Sequence, residues 1–551
     1  MQICDLSFMK RLDFIVEKCY TKIKIGGAVM GIYLNPNNID FQQALNSKIY
    51  VDKSMLIEYT NSVIYTEQKF ICVSRPRRFG KSMTANMLTA YYSRECDSKE
   101  MFSRLKIAQH PDFERHLNKY NVIHINMVDF LSGSHDIDEM ISEIQKSILF
   151  EITYEFSDVR FYDDKRLIRS LKDVFAKYSI PFIFIIDEWD CIFREHQNDT
   201  DAQKNYLDFL RNLLKDQSYV ALAYMTGILP IKKYGKHSAL NMFTEVSMTD
   251  PREYSEFTGF TESEVRRLCD EYKMPFEETK RWYDGYNLMG VSIYNPRSVV
   301  MSMTGGYFNN YWTSTETYEA LRVYIEMNFD GLKDTIIELL SGGKAVIDTT
   351  TFTNDMVTFN TKDDVLTLLV HLGYLTYNFY TKEVSIPNYE ILEQFASTIK
   401  VMGWSEVANS LKLSDELLKA TLNCDEEKVA ELIDKAHSDN TSILKYNDEN
   451  SLSCVISIAY YSSRKTYTIE RELPAGKGFA DLVFRPRKNN SNPAIIVELK
   501  YDKSAEGALE QIKAKHYTDC LKDYSGEILL VGINYNKDTK KHDCMIEKVY
   551  K

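Results

Sequence analysis

The sequence has 551 residues, more than one hydrophobic core usually supports, so roughly two to four domains are expected. Its formal net charge of -12 excludes a polycation that binds nucleic acid over its whole surface, so any such site must be a local basic patch. Ten cysteines without CxxC or zinc-type spacing exclude a disulfide scaffold and predict reduced thiols in a cytoplasmic protein.

The apolar segments predict neither a membrane anchor nor a secretory signal. Every apolar run falls short of the ~18 residues that a bilayer crossing needs. Near the N-terminus, Asp5, Asp13 and Glu17 interrupt what would be the apolar part of a secretory signal. We therefore expect a cytoplasmic protein that does not bind membranes.

The first chemical motif follows a short apolar run, residues 70–73, which predicts a buried strand. After a loop, Gly80, Lys81 and Ser82 begin a predicted helix, and strand, loop and helix together predict a phosphate-binding loop. In such a loop Lys81 would reach the terminal phosphates and the Ser82 hydroxyl would ligate Mg²⁺. Where the motif has its first glycine, this chain has Arg75, so a chance Gly-Lys-Ser beside a basic loop is the alternative.

The loop and the first turn of this helix supply most of the nucleotide-binding candidates. These are Arg75, Pro76, Arg77, Arg78, Phe79, Gly80, Lys81, Ser82 and Met83. The three arginines add positive charge to a site that usually relies on backbone amides. We expect at least one of them to contact the nucleotide or a neighbouring carboxylate.

A second motif ends a continuous apolar run, residues 181–186, with Asp187 and Glu188. Such a run predicts a central parallel strand covered on both faces, with its carboxylates at the C-terminal edge where α/β sheets bind ligands. Asp187 would hold Mg²⁺, and Glu188 would polarise the water that attacks the γ-phosphate. An acidic turn at a strand end is the alternative, but two matched halves make coincidence a poor explanation.

Strands and helices alternate over residues 31–250 and predict a parallel sheet. The further strands are predicted at residues 122–127, 219–225 and 244–248. Thr226 directly follows the predicted strand at residues 219–225, and it either senses the γ-phosphate or caps the strand end. Asn126 and Asp129 are weaker candidates for the same edge.

Beyond Pro251 the pattern becomes helical, and residues 251–345 are predicted to form a lid on the nucleotide domain. Apolar residues at helical spacing predict a helix at Glu262–Tyr272. Four arginines of this region are surface charges or phosphate sensors, and the surface interpretation is preferred for each. They are Arg252, Arg266, Arg267 and Arg297.

Residues 346–440 are predicted to form a winged-helix-like and helical spacer. The pattern is a helix at 364–375, two short strands at 375–379 and 383–386, and a helix at 389–396. Winged helices can contact DNA, but Lys382 alone makes a poor basic wing. A spacer between domains is therefore favoured.

A second chemical constellation lies in the predicted C-terminal domain, residues 441–551. Asp481 begins one apolar strand, and a hairpin leads to a second strand that carries Glu498 and Lys500. Alternate residues of a strand share a face, so Glu498 and Lys500 point the same way and the hairpin brings Asp481 beside them. Two carboxylates predict a Mg²⁺ site, and a lysine beside them can orient or deprotonate a water. A surface hairpin with a cross-strand ion pair is the alternative.

Several blocks carry a resemblance to a known family. They are I-Y-V-D-K-S at residues 49–54, S-R-P-R-R-F-G-K-S at 74–82, M-T-G-I-L-P-I-K at 225–232, W-Y-D-G-Y at 282–286 and Y-N-P-R-S-V at 294–299. With them the chain resembles the bacterial AAA-ATPase-like proteins, which usually carry a C-terminal nuclease of the PD-(D/E)XK superfamily. In that family R-P-R-R-F-G-K-S is the usual form of the loop.

The resemblance implies the fold class: α/β, with a P-loop NTPase parallel sheet, a helical lid, a winged-helix-like spacer and a C-terminal α/β PD-(D/E)XK nuclease-like domain. In the nuclease it implies that Asp481, Glu498 and Lys500 form the core. Glu449 matches the helical glutamate of the superfamily, and Gln511 and Tyr517 match the region after E-x-K. Because the resemblance begins only near residue 30, residues 1–30 are expected to be a poorly ordered leader or the product of an upstream start.

The sequence thus predicts an ATP-binding and ATP-hydrolysing protein coupled to a Mg²⁺-dependent nuclease, with ATP and Mg²⁺ as cofactors. DNA is preferred to RNA as the nucleic-acid partner, and a role in DNA processing or defence is implied by the resemblance alone. One alternative is a regulatory or scaffold ATP-binding protein whose nuclease-like domain binds nucleic acid or a partner without cleaving. Another is an ATPase whose nucleotide only stabilises the fold.

Overall fold

The computed structural model describes residues 31–231, 240–312, 321–324, 329–402, 405–440, 449–487 and 490–550. These residues form two compact units. The first contains the described parts of Met1–Lys280, Asp284–Tyr307 and Thr349–Tyr380, and the second those of Arg281–Tyr283, Phe308–Asp348 and Thr381–Lys551. The predicted leader, residues 1–30, lies outside the described residues. The domain bounds drawn from the sequence stay predictions.

A five-stranded sheet forms the centre of the first unit. Its strands are β1 (Phe70–Ser74), β2 (Asn121–Asn126), β3 (Phe182–Asp187), β4 (Val220–Gly227) and β5 (Thr244–Val246). They lie in the order β2-β3-β4-β1-β5, and every neighbouring pair is parallel. The predicted parallel α/β sheet is therefore confirmed.

The apolar composition of three strands explains their central position. Every residue of β1, β3 and β4 is buried, as expected for parallel strands that helices cover on both faces. In parallel strands the C-terminal ends share one edge of the sheet. This edge therefore brings together the ends of β1, β3 and β4, where the sequence places its nucleotide-binding candidates.

Helices surround this sheet. They are α1 (Ile39–Leu45), α2 (Leu56–Val63), α3 (Lys81–Tyr92), α4 (Lys99–Phe102), α5 (Phe113–His116), α6 (Met127–Ser132), α7 (Ile137–Glu155), α8 (Leu167–Tyr178), α9 (Cys191–Glu195) and α10 (Thr200–Leu214). The helix α7 shows why these segments form helices: Ile137, Ile144, Ile148 and Ile152 are buried along one face. Its N-cap is Asp136, whose side chain accepts a hydrogen bond from the Glu139 amide at 2.7 Å.

A mainly helical segment follows, as the sequence predicts. Its elements are β6 (Phe260–Thr261), α11 (Glu262–Tyr272), α12 (Phe276–Tyr283), β7 (Tyr286–Leu288), β8 (Val291–Tyr294) and α13 (Pro296–Gly305), and the three strands form an antiparallel sheet in the order β6-β8-β7. Thr261 and Glu264 form a capping box, which fixes the start of α11 at the predicted residue.

The middle of the chain continues in both units. The elements are α14 (Leu332–Leu340), β9 (Ala345–Val346), α15 (Lys362–Leu372), β10 (Thr376–Asn378), β11 (Glu383–Ser385), α16 (Tyr389–Met402), α17 (Ser405–Leu422) and α18 (Glu426–Asn440). The predicted order of helix, two strands and helix is present from α15 to α16. The winged-helix interpretation of this region stays a prediction, and α15 and β10 belong to the first unit while β11 and α16 belong to the second.

A second five-stranded sheet occupies the C-terminal part. The elements are α19 (Glu449–Ala459), β12 (Tyr467–Ala475), β13 (Gly478–Pro486), β14 (Ala494–Tyr501), α20 (Ala505–Ala514), β15 (Glu527–Asn536) and β16 (Lys541–Tyr550). The strands lie in sequence order, with β14 and β15 parallel and the other pairs antiparallel.

The two faces of this sheet have different cores. Leu482, Val497 and Val531 pack with residues of α17, α18 and α19, whereas Val483 and Ile496 pack with Leu509 of α20. The predicted α/β domain is therefore confirmed in its architecture. Within the described ranges, none of the helices combines the length and apolar composition that a bilayer crossing requires.

Candidate functional site

The phosphate-binding loop connects β1 to α3 and has the predicted geometry at its glycine. Gly80 is the N-cap of α3 and has φ of +87°, a left-handed conformation that is strained for residues with a side chain. Lys81 begins the helix, and Ser82 and Met83 are exposed on its first turn. The amides of this turn lack partners within the helix and are available to an anion.

Lys81 lies buried beneath the loop. Its side chain is nearly inaccessible, and its Nζ donates to the carbonyl oxygens of Arg75 at 3.0 Å and Pro76 at 3.1 Å. Burial lowers the pKa of Lys81, and the Glu188 and Asp187 carboxylates oppose that shift. The ammonium group therefore lies between the loop and the acidic end of β3, as a phosphate-binding lysine would.

Arg75 replaces the first glycine of the motif and is fully buried. Its Nε donates to the Thr258 hydroxyl at 3.1 Å, its Nη1 donates to the Ser74 carbonyl at 3.0 Å, and its Nη2 is buried without a partner. Burial lowers the pKa of Arg75 to about 10. Arg75 thus connects the loop to the segment that follows the sheet.

The rest of the loop makes a second connection to that segment. Phe79 is buried against Tyr286, with ring centroids 5.1 Å apart, and its carbonyl accepts from the Gly259 amide at 2.9 Å. Arg77 and Arg78 are partly exposed, and Arg78 has φ of +70°. Because Phe79 and Arg75 are both anchored, the loop backbone is held at both ends.

Asp187 and Thr226 meet at the shared edge of β3 and β4. The Thr226 hydroxyl donates to Asp187 Oδ1, and both side chains are buried. On the other side of β3, Asn126 is in register with Asp187, and its side chain accepts from the Val128 amide at 3.0 Å to cap α6. The strands therefore bring Asn126, Asp187 and Thr226 to one edge.

Glu188 follows β3 with φ of +53°, a conformation that non-glycine residues adopt infrequently. Burial raises the pKa of Glu188, and the Lys81 ammonium group opposes the rise. Its Oε2 accepts from Nη2 of Arg194 at 2.5 Å. Glu188 is therefore held by an arginine that the sequence analysis did not select.

Asp190 completes this acidic cluster. It is fully buried, lies 3.3 Å from Nε of Arg194, and accepts from the amides of Ile228 at 3.0 Å and Leu229 at 2.8 Å. A Cβ on Gly227 would lie 2.7 Å from Asp190, so glycine is needed where β4 passes this turn. The i, i+4 spacing of Asp190 and Arg194 on a helix was the available sequence signal.

The four arginines of residues 251–345 that the sequence offers as surface charges or phosphate sensors are exposed. Arg252 lies 3.5 Å from Asp250, and Arg266 donates to Glu262 at 2.9 Å. Arg267 and Arg297 are also exposed. These contacts agree with the preferred interpretation of surface charges.

In the C-terminal unit, antiparallel pairing of β13 with β14 brings the predicted carboxylates together. Oδ2 of Asp481 accepts from the Leu499 amide at 2.7 Å, which places Asp481 beside the adjacent Glu498. Lys500 lies on the same face of β14, and its Nζ is 2.7 Å from Oε1 of Glu498. The structure thus joins Asp481, Glu498 and Lys500 as the sequence predicts.

Glu498 is the buried carboxylate at the centre of this group. Only 2% of its surface is exposed, and its Oε2 is buried without a partner. Burial, followed by the charge of Asp481, raises the pKa of Glu498 to about 7, and Lys500 opposes the rise. An acidic pair with an unpartnered oxygen matches the hard oxygen ligands that Mg²⁺ prefers.

Gln511 reaches the same carboxylate from α20. Its Nε2 donates to Oε1 of Glu498 and lies 3.0 Å from the Tyr517 hydroxyl. A Cβ on Gly478 would lie 3.0 Å from that hydroxyl, so β13 approaches Tyr517 closely. Gln511 and Tyr517 therefore belong to the cluster, as the family resemblance implies.

The remaining candidates of this unit are Glu449 and three residues at the end of α20 and just after it. Glu449 begins α19, but its side chain lies outside the described residues. Lys513 is exposed and bonded to Glu547 at 2.5 Å, while Lys515 and His516 are exposed. Among the side chains that the structure describes, no group of three or more His, Cys, Asp and Glu could hold a metal ion. Metal binding here would depend on Asp481 and Glu498.

Two family models match separate parts of the chain. Residues 39–235 match a predicted AAA-ATPase, and residues 447–544 match the PD-(D/E)XK nuclease superfamily. The first range contains the loop of residues 75–83, Asp187, Glu188 and Thr226. The second contains Glu449, Asp481, Glu498, Lys500 and Gln511. Both halves of the resemblance seen in the sequence are confirmed.

One curated relative and several solved structures show weaker similarity. The relative is an uncharacterized protein in the vnfD 5' region of Azotobacter chroococcum mcd 1, 25% identical over 256 residues, which are 44% of this chain and 47% of that protein. The chain therefore spans about half the length of this relative. The Aeropyrum pernix ORC2 protein is 12% identical, with a TM-score of 0.30, over 64% of this chain and 97% of that chain. Cdc6p from Pyrobaculum aerophilum is 10% identical, with a TM-score of 0.23, over 63% and 93%.

Proposed function

We propose that this chain, with one part matching a predicted AAA-ATPase and another matching the PD-(D/E)XK nuclease superfamily, couples ATP binding and hydrolysis to Mg²⁺-dependent cleavage of nucleic-acid phosphodiesters. The observation that carries the proposal is the buried, unpartnered Oε2 of Glu498 beside Asp481 and Lys500. A buried carboxylate oxygen without a donor is costly, and a cation would compensate it. We place the protein in the cytoplasm.

In the proposed ATP site, the residues at the C-terminal edge of the first sheet have separate roles. The amides of the loop of residues 75–83 and the start of α3 bind the phosphates, and Lys81 moves from the loop carbonyls to the terminal phosphates. Ser82 and Asp187 would hold Mg²⁺, which neutralises phosphate charge when it is bound. Glu188 orients and polarises the attacking water, and Thr226 senses the γ-phosphate through its contact with Asp187.

Arg194 is a positioning residue for this reaction. It fixes the Glu188 carboxylate, and Asp190 in turn fixes Arg194 through the buried ion pair. Because Asp190 also accepts from the amides after β4, the orientation of Glu188 depends on the same strand end that carries Thr226. A change at the γ-phosphate contact can thereby reach Glu188.

In the nuclease site, Asp481 and Glu498 would hold Mg²⁺, which supplies charge neutralisation and an acidified water when it is bound. Lys500 donates to the scissile phosphate or holds the water for in-line attack. Gln511 keeps the Glu498 carboxylate oriented, and Tyr517 keeps Gln511 in place. Glu449 is assigned to this site by its position at the start of α19. DNA is the proposed substrate, in DNA processing or defence.

The second candidate function is binding of nucleic acid or a partner without cleavage. The observation in its favour is that Oε1 of Glu498 already accepts from Lys500 and Gln511, so protein donors hold this oxygen without a metal. In that case the ATP-binding part would regulate a binding module. Cleavage in the presence of Mg²⁺ separates the two functions.

The test is incubation of the purified full chain with plasmid and single-stranded DNA, with and without Mg²⁺ and ATP. We expect cleavage that requires Mg²⁺ and changes in rate with ATP. Lys500→Ala should retain Mg²⁺ affinity and lose most of the cleavage rate, because Lys500 acts on the water and the phosphate. Saturable DNA binding without cleavage in any of these conditions would support the second function.

A further inference from the structure

The Arg75 side chain connects the phosphate-binding loop to a part of the chain that is 183 residues away. Its Nε donates to the Thr258 hydroxyl at 3.1 Å, and its Nη1 donates to the carbonyl of Ser74, the last residue of β1, at 3.0 Å. The backbone amide of Arg75 donates to the Gly227 carbonyl at 3.0 Å. Arg75 is therefore bound to β1, to β4 and to the two residues that precede β6, Thr258 and Gly259, which we call the pre-β6 segment.

The pre-β6 segment also contacts the other end of the loop. The Gly259 amide donates to the Phe79 carbonyl at 2.9 Å, directly before the N-cap of α3. Gly259 has φ of +83°, and a Cβ there would lie 2.3 Å from Cγ2 of Ile293 on β8, so glycine is required where the segment passes between the loop and β8. The pre-β6 segment thus holds the loop at Arg75 and at Phe79, on both sides of residues 76–78.

Arg75 also supplies one of the two carbonyl groups that hold Lys81. Nζ of Lys81 donates to the carbonyls of Arg75 at 3.0 Å and Pro76 at 3.1 Å. In the proposed ATP site, on which this inference rests, Lys81 exchanges these carbonyls for the terminal phosphates. That exchange changes the hydrogen bonds of the two loop residues whose position the Arg75 side chain fixes.

Packing alone does not explain an arginine at this position. Arg75 is fully buried, and its Nη2 is buried without a hydrogen-bond partner among the residues that the structure describes. Its two acceptors, a hydroxyl and a carbonyl, carry no net charge. A methionine would fill a similar volume without the cost of desolvating a charge. What the arginine adds is two oriented hydrogen bonds to separate elements of the fold.

We propose that Arg75 is a positioning residue of the ATP site, which holds the phosphate-binding loop to the pre-β6 segment and transmits the binding of ATP from the loop to that segment. When Lys81 bonds the terminal phosphates, the Arg75 and Pro76 carbonyls lose their donor and the loop backbone adjusts. Because Arg75 and Phe79 both bind the pre-β6 segment, this segment moves with the loop. The strand β6 directly follows the segment and pairs with β8, so the change reaches the small antiparallel sheet.

Calorimetric titration of the full chain with ATP and Mg²⁺, combined with steady-state hydrolysis, tests the positioning role. Thr258→Val removes the hydroxyl that accepts from Nε of Arg75 but leaves the charge of Arg75 in place. It should raise the Kd and the KM for ATP by about three- to tenfold with little change in kcat, because a less ordered loop loses more entropy on binding. Thr258→Ser keeps a hydroxyl and should restore the wild-type values.

Two further variants complete this comparison. Arg75→Met should have at least the effect of Thr258→Val, and the double variant should bind ATP no more weakly than Arg75→Met, because both changes remove the same contact. Thr279→Val is the matched control, since it removes a buried hydroxyl of the same region that contacts Pro275 and Cys269 rather than the loop.

Hydrogen exchange at the Gly259 amide measures the transmission, at ATP concentrations that saturate each variant. ATP should slow this exchange in wild type, because the ordered loop protects the hydrogen bond from Gly259 to the Phe79 carbonyl. The ATP-dependent slowing should be reduced by about half or more in Thr258→Val and should be unchanged in Thr279→Val.

Equal Kd values and equal ATP-dependent exchange in Thr258→Val and wild type would overturn this inference and leave the ATP site in place. Absence of ATP binding by the wild-type chain would overturn both the inference and the ATP site. If Arg75→Met does not fold, the comparison of Thr258→Val with Thr258→Ser decides the outcome.

Discussion

The Arg194 guanidinium group lies 2.5 Å from the Glu188 carboxylate and is itself fixed by the buried Asp190 at 3.3 Å. Asp190 also accepts from the two amides that follow β4. The ends of β3 and β4 and the helix α9 are therefore connected by one network of polar contacts. A water-activating carboxylate in a strained backbone conformation is thereby restrained by side chains on the next helix.

Replacement of Glu188 and Arg194 tests this network. Glu188→Gln should leave the ATP affinity nearly unchanged and slow hydrolysis by about 100-fold or more, because it removes the carboxylate that polarises the water and pairs with Arg194 but leaves Lys81 and the loop amides in place. Arg194→Met should lower kcat by about tenfold with little change in KM, since it misorients the carboxylate. Arg211→Met, an exposed arginine paired with Asp208, is the control. Hydrolysis by Arg194→Met at the wild-type rate would show that Arg194 does not position Glu188.

We expect the affinity for ATP to depend on Lys81. Lys81→Ala removes the buried charge between the loop and the acidic end of β3, so the Kd for ATP should rise by at least about tenfold. Lys99→Ala, which removes an exposed lysine paired with Glu114, is the control. Equal ATP affinities for Lys81→Ala and wild type in calorimetry would refute the phosphate-loop assignment.

The close contact at Gly227 predicts a stability effect. Gly227→Ala would place a methyl group 2.7 Å from both Asp190 and the Trp189 ring, so the free energy of unfolding should fall by about 1–3 kcal/mol. Gly133→Ala is a matched control because its nearest neighbour would lie 3.6 Å away. Thermal unfolding of both variants measures the difference. Equal stabilities of Gly227→Ala and Gly133→Ala would contradict the prediction that close packing around Gly227 requires glycine.

Local patterns predicted much of what was found. The apolar run before Asp187 forms β3, the Gly-Lys-Ser motif begins α3, and Glu498 and Lys500 share a face because they are two residues apart on a strand. These features depend on neighbours in sequence. Hydrophobic periodicity, capping residues and strand alternation are sufficient to predict them.

Contacts between residues that are far apart in the sequence could not be predicted from local patterns. The sheet order places β4 between β1 and β3, so the contact between Thr226 and Asp187 follows from tertiary packing. Arg194 and Arg464 gain their partners through the fold: Arg464 contacts Ser341, which is more than a hundred residues away in the chain. No local pattern specifies such pairs, and the units themselves are built from separate stretches of chain.

The raised pKa of Glu498, about 7, predicts how stability changes with pH in the absence of metal. Between about pH 4.5 and 7 the unfolded chain releases this proton before the folded chain does, so stability falls as pH rises. Glu498→Gln removes this cost and should be more stable than wild type at pH 8 by up to about 3 kcal/mol. The difference should shrink to near zero below about pH 5.

Urea unfolding in EDTA at a series of pH values measures this difference. The exposed Glu510 on α20 supplies the control, Glu510→Gln, which should show no comparable pH-dependent gain. A constant difference between Glu498→Gln and wild type from pH 5 to pH 8 would contradict the burial argument.

The central claim, that Asp481 and Glu498 form a Mg²⁺-dependent nuclease site, is tested most directly by the cleavage rate of Glu498→Gln. DNA cleavage in Mg²⁺ is compared for wild type, Asp481→Asn, Glu498→Gln and Glu510→Gln, each verified to be folded and to bind ATP. We predict that Asp481→Asn and Glu498→Gln lose cleavage and that Glu510→Gln cuts like wild type. Cleavage by Glu498→Gln at the wild-type rate would contradict the account and place the activity elsewhere.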